Sequence, residues 1–210
     1  YNFKDMQGPI EPLDEETKTK LQFTDSRVWP SLLIASFVGM ANACLVLTVA
    51  LYTKDEIITN GESVYSVVAI GFSIVALSGM FANLFIVDKF QIRPLNLIKW
   101  GCSIVLLSYL FLSQATSISS LYLALIMYGI GSGLVRPGNI TILSLSVSKN
   151  EQGAASGWMG TVFPIGHLIT PFTIMPLYMM SPNFPYFLIS FLALLLIIFI
   201  LLNQKKYFNY

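Results

Sequence analysis

Two side chains carry polar chemistry into apolar surroundings. Arg136 lies inside the run Ser120–Ser146, and His167, the only histidine, lies inside Gly153–Met180. If these runs are helices, Tyr128, Ser132, Arg136 and Asn139, spaced 4, 4 and 3 apart, share one face as a polar stripe. Arg136 is about ten residues from the end of its run, roughly 15 Å at 1.5 Å per residue. Even the milder insertion scale sets a mid-membrane arginine at about +2.5–3.5 kcal/mol. That cost is met by a cavity where the cation contacts a substrate or a partner acid, or by carbonyls of a neighbouring helix. His167 sits about 14 residues into its run. It offers a proton relay, because histidine titrates near neutrality, or a neutral hydrogen-bonded packing residue. Asn42 and Asn83, also inside apolar runs, carry the same two readings, cavity or packing.

Other patterns point away from catalysis. Gly129, Gly131 and Gly133 spell a G-x-G-x-G that does not follow a strand, so no dinucleotide is expected there. Gly129/Gly133 and Gly153/Gly157 fit the small-xxx-small spacing of helix-packing faces. Pro137, Pro164 and Pro171 remove backbone donors and should bend their helices. Ser156 and His167 share one run, 11 residues apart, or roughly 16 Å. A nucleophile and its base must meet within about 3 Å, so no hydrolytic enzyme is expected. Cys44 and Cys102 both fall in apolar runs and read as small core residues, without disulfide or metal. No cofactor is implied.

The elements that hold these residues follow from hydropathy. The chain has 210 residues, 55% apolar and 11% charged, where soluble domains carry about 25% charged residues. Mean hydropathy is +0.69, so lipid is the expected solvent. The net charge of +1 gives no nucleic-acid signal. Six stretches approach the roughly 20 apolar residues of a spanning helix: about 29–52, 64–87, 95–113, 120–146, 153–180 and 184–202. The expected fold is all-α and integral to the membrane. The sixth stretch is apolar all round and should face lipid on much of its surface, and the third is nearly as plain. The other four carry small and polar residues and should face protein or a cavity.

Basic residues set the orientation. Lys4, Lys18, Lys20, Arg27, Lys89, Arg93, Lys99, Lys149, Lys205 and Lys206 fall on one side and Lys54 on the other. Both termini should be cytoplasmic. Residues 1–27 are polar, begin at Tyr1 and lack a signal-peptide pattern, so the chain reads as a piece of something longer or a processed product.

The stretch from Tyr128 to Pro171 resembles the C-terminal half of the major facilitator superfamily, in particular its drug/proton antiporters of the tetracycline and multidrug efflux type. The resemblance rests on Gly129 to Gly133, Arg136-Pro137, Glu151-Gln152-Gly153 with Gly157, and Gly166 to Pro171, where Thr170 replaces a glycine. Asp88-Lys89-Phe90 with Arg93 is similar to the family's cytoplasmic loop motif, with Leu84 and Gln91 where glycines are usual. The resemblance implies half of a 3+3 inverted-repeat fold. Residues 1–27 would then be the end of a central linker, 28–203 the six-helix domain and 204–210 a cytoplasmic tail. It implies a missing N-terminal six-helix half as partner and a cell-membrane location. It further implies proton-coupled efflux of small amphipathic compounds between two rocking halves.

On that reading Arg136, Asn139, Tyr128, Ser132, His167, Asn42 and Asn83 line the cavity. Asp88 and Arg93 form the cytoplasmic gate, and Gly153 and Gly157 the moving interface. Family members couple protons through an embedded carboxylate, and this chain has none in its apolar core. Coupling then falls to the missing half or to His167, or does not occur. That lack also argues against a dedicated cation site. The alternatives are a truncated or non-transporting subunit that only pairs with other chains, and a sugar or metabolite transporter of the same superfamily.

Overall fold

The computed structural model describes residues 23–58, 63–87 and 92–204, and the described residues contain helices and no strand. Six of the helices are long and apolar enough to cross a membrane. Helix α1 spans Trp29–Tyr52 and continues as a π-helical turn over Thr53–Ile57. Helix α2 spans Val64–Phe81 and continues likewise over Ala82–Val87. Helix α3 is Pro94–Leu112, α4 is Ile118–Ser146, α5 is Gln152–Met180 and α6 is Phe184–Leu202. These bounds lie close to the six apolar stretches.

Local chemistry explains the ends. Pro30, Pro94 and Pro185 occupy first turns, where a missing N–H costs nothing. Ser117 caps α4 by accepting from the Ser120 amide at 3.3 Å, while Ser120 Oγ accepts from the Ser117 amide at 3.1 Å. Within the spans, hydroxyls donate one turn back: Thr48 to Cys44, Ser146 to Ile142, Thr170 to Gly166 and Ser190 to Tyr186. These polar atoms need no water in an apolar medium. Helix α4 runs on through Pro137, and α5 through Pro164, Pro171 and Pro176.

The packing is crossed. Helix α2 lies against α4, α5 lies against α1, and α3 packs on both α4 and α6. Taken as two triplets, the second helix of each lies on the first helix of the other, so the two halves of the bundle are packed in the same crossed way. Glycines set both crossings. A Cβ on Gly133 would lie 2.6 Å from the Gly79 carbonyl oxygen, and a Cβ on Gly39 would lie 2.5 Å from that of Phe163. Only glycine lets these backbones approach so closely.

At the centre, tyrosines from four helices meet. Tyr52 and Tyr186 have ring centroids 5.0 Å apart, and Tyr109 and Tyr128 5.7 Å. The Tyr109 hydroxyl donates to the Ala41 carbonyl, and Tyr52 to that of Ala115 at 3.1 Å. Cys44 and Cys102 are buried free thiols in this core.

Helices α3 and α6 do turn much of their surface outward, with 44% and 39% of their apolar windows buried, yet α2 at 11% and α5 at 28% are barer still within this chain. Tyr186, Ile189, Ala193, Leu196 and Ile200 give α6 a fully packed face. Hydropathy states what a face tolerates, not what covers it. One expectation needs correcting: Gly153 and Gly157 do not join Gly129 and Gly133 in one packing face, because a Cβ at either, or at Gly160, meets no atom within 4 Å. The spacing permits close approach, but nothing in this chain approaches.

Candidate functional site: two cavities sharing Arg136

Helix α4 directs Tyr128, Ser132 and Arg136 into one cavity of ≈ 410 Å³ against α1 and α2, where Asn42 and Asn83 complete the polar lining. Asn83 sits on the π-helical turn that ends α2, a local widening often found at functional positions. Arg136 also borders a second cavity of ≈ 190 Å³ between α1, α4 and α5, lined by Asn139 and by apolar Ala35, Val38, Met159 and Phe163. The polar stripe is thus divided, and Arg136 is the member common to both cavities.

The guanidinium carbon lies 5.0 Å from the Phe163 ring centroid, a cation–π contact. Among the described residues both ion pairs belong to Arg27, and none involves Arg136. Ser132 spends its hydroxyl on the Gly129 carbonyl at 3.2 Å. Asn139 is 3% exposed; its Nδ2 donates to the Ser31 carbonyl at 2.9 Å while its Oδ1 has no partner.

His167 does not line either cavity and joins the group through Asn42. Its Nε2 is 3.2 Å from Asn42 Oδ1, its Nδ1 is 3.3 Å from the Phe163 carbonyl, and Asn42 Nδ2 donates to the Tyr128 hydroxyl at 3.4 Å. This chain of contacts crosses α5, α1 and α4. Its chemistry is a linked choice. A protonated ring donates from both nitrogens, as a carbonyl and Asn42 Oδ1 both require. A neutral ring protonated on Nε2 keeps Asn42 as it stands and gives up the carbonyl, whereas one protonated on Nδ1 keeps the carbonyl and needs the Asn42 amide turned to present Nδ2, which redirects the hydrogen bond of Tyr128.

The expected gate is not assembled within the described residues. Asp88 lies outside them, and Arg93 stands exposed at the start of α3. A different charged cluster occurs at the start of α1. Arg27 Nη2 lies 2.7 Å from Asp25 Oδ2 and 3.0 Å from Glu151 Oε1. Glu151 Oε2 accepts from the Ser148 amide at 3.0 Å and its hydroxyl at 2.8 Å. The Arg27 guanidinium holds the Asp25 carboxyl below its ordinary range, and hydrogen bonds to Asp25 and then Glu151 push Arg27 well above its own. Phe23 packs on Trp158 with centroids 5.4 Å apart. At the far end Tyr178 donates to Asp55 Oδ2 at 2.8 Å. Helices α1 and α5 are therefore tied at both ends. The Ser148-x-x-Glu151 spelling is a visible capping signal, but its pairing with Arg27 crosses 124 residues.

Six membrane-length helices with an arginine bordering two cavities between them define a multi-pass membrane protein. The chain belongs to the Major Facilitator Superfamily, a family of membrane transporters whose model matches residues 4–171. No curated protein matches it.

Proposed function

We propose that this chain is the C-terminal six-helix half of a secondary transporter that exports small amphipathic organic compounds in exchange for protons by alternating access. The observation that carries this reading is the pair of cavities around Arg136, lined from α1, α2, α4 and α5. Two of those helices, α2 and α5, keep most of their apolar windows uncovered by this chain, as surfaces that meet an N-terminal half would. On this reading both termini are cytoplasmic and the chain sits in the cell membrane, which the one-sided distribution of basic residues supports. His167, linked through Asn42 to Tyr128, is the group in this half suited to carry the proton, because histidine changes charge near neutral pH.

The test is dye efflux from vesicles carrying the full-length protein under an imposed pH gradient. Arg136→Gln should abolish movement while insertion stays intact, and His167→Gln should leave dye binding but uncouple it from the gradient. Wild-type transport in Arg136→Gln, or no gradient-dependent movement of any dye in the wild type, would sink the reading.

A further inference from the structure

We propose that the smaller cavity beside Arg136 seats an amphipathic organic anion: a carboxylate or sulfonate with an apolar body and a hydroxyl or N–H near its charged end. This rests on the transport reading, and it names the substrate class for that site.

Charge comes first. Arg136 is exposed to the cavity and has no carboxylate partner among the described residues. A guanidinium offers five donors and no acceptor, and carboxylate or sulfonate oxygens match that fork. Phe163 lies 5.0 Å from the guanidinium carbon, a cation–π contact that uses none of its N–H donors in a conventional hydrogen bond. A cationic ligand would meet like charge, and among the described residues no acidic side chain lines either cavity to offset it.

Shape and the second polar group narrow the class. The cavity of ≈ 190 Å³ is walled by Ala35, Val38, Met159 and Phe163, which suits an aromatic or branched aliphatic body. Asn139, three residues along α4 and lining the same cavity, is nearly fully buried with Oδ1 unpaired while its Nδ2 holds the Ser31 carbonyl. Buried polar atoms are normally satisfied. An orphaned acceptor next to a free cation calls for a ligand that brings an anion and a donor together.

The test uses the full-length protein in phosphatidylcholine nanodiscs with three probes of similar size: 4-hydroxy-2-naphthoate, whose hydroxyl is on the carboxylate-bearing ring, 2-naphthoate and (2-naphthylmethyl)trimethylammonium. The hydroxynaphthoate should bind tightest, the naphthoate several-fold more weakly for want of a donor to Asn139, and the cation about tenfold weaker again. Arg136→Gln should erase the preference for anions and Arg136→Lys restore part of it. Asn139→Leu should erase only the preference for the hydroxyl. The wild-type probe series decides the matter even if a variant fails to fold. Equal or tighter binding of the cation overturns the proposal. So does an anion preference that survives in a monodisperse Arg136→Gln protein. Displacement of the probe by phosphatidylglycerol added to the nanodiscs would assign the site to lipid headgroups and overturn a soluble substrate. Vesicle transport is scored separately. Anion-selective binding without gradient-driven transport ends the transport reading and keeps the site, whereas transport confined to cations does the reverse.

Discussion

Gly129 and Gly133 on α4 share a four-residue spacing with Gly153 and Gly157 on α5, but their surroundings are opposite. On α4 the glycine face is closed. A Cβ on Gly129 would lie 2.6 Å from the Val75 carbonyl oxygen, and one on Gly133 2.6 Å from that of Gly79. On α5 the same motif faces nothing within 4 Å. Yet α5 is not loosely held, because its other side crosses α1 through Gly166, where a Cβ would lie 2.7 Å from the Ser36 carbonyl oxygen. One helix therefore carries one closed and one open small-residue face. Close packing is a property of pairs of faces, and the motif alone supplies only one of the two.

The largest expected effect breaks the comparison if it fails. Gly133→Leu in the 210-residue chain must push α2 off α4, at a cost of about 1–3 kcal/mol or more. It should lower both the thermal midpoint and the monodisperse yield in detergent. Gly157→Leu should leave both unchanged. Similar losses in the two variants would show that the α5 face is covered after all.

Gly166→Leu sharpens the point on a single helix. It should destabilise about as much as Gly133→Leu, although it lies nine residues from the silent Gly157. A benign Gly166→Leu would mean that the α1–α5 crossing is looser than the backbone distances show.

Thiol accessibility gives a smaller, graded readout. Cys44 and Cys102 are 0% exposed and should stay silent toward a bulky maleimide. Gly153→Cys, near the α4–α5 link, should react at least about tenfold faster than Gly133→Cys in the folded protein. Equal rates would equate the two faces.

The smallest effect concerns the tie that holds the start of α1 against the α4–α5 link. Arg27→Gln should lower the thermal midpoint slightly at low salt and less at high salt, because the Arg27 end of the pair is open to screening. Asp25 is depressed below its ordinary value of 3.8 by Arg27. Its contribution is therefore present above that value and lost as pH falls through the lowered one. The gap between wild type and Arg27→Gln should persist at neutral pH and narrow only below about pH 4. A gap that closes near neutrality would remove Asp25 from the cluster.

Much of this was legible in residue order. Six apolar runs, an arginine and a histidine inside them and two glycine pairs can each be read within one helix length. Tyr128, Ser132, Arg136 and Asn139 were predictable as one stripe because helical phase is local. The stripe's division between two cavities was not, since it depends on where Phe163 of α5 and Asn42 of α1 arrive. The greater bareness of α2 and α5 within this chain was not legible for the same reason: an apolar surface is stable in lipid and in a core alike. The gate expected at Asp88 and Arg93 rested on a local motif, whereas the charged cluster among the described residues joins Arg27 to Glu151 across two helix packings.

By itself, then, the sequence determined the solvent, the number of spans and which polar groups enter them, because hydropathy and helical period act over a single turn or a single span. Only the tertiary structure decided which glycine face is closed, that Asn42 links His167 to Tyr128, and that Arg136 is shared between two cavities without an acid among the described residues. Those outcomes depend on the crossing and register of helices distant in the chain. In an apolar medium, register is set by backbone contact and hydrogen bonding between helices, not by hydrophobicity.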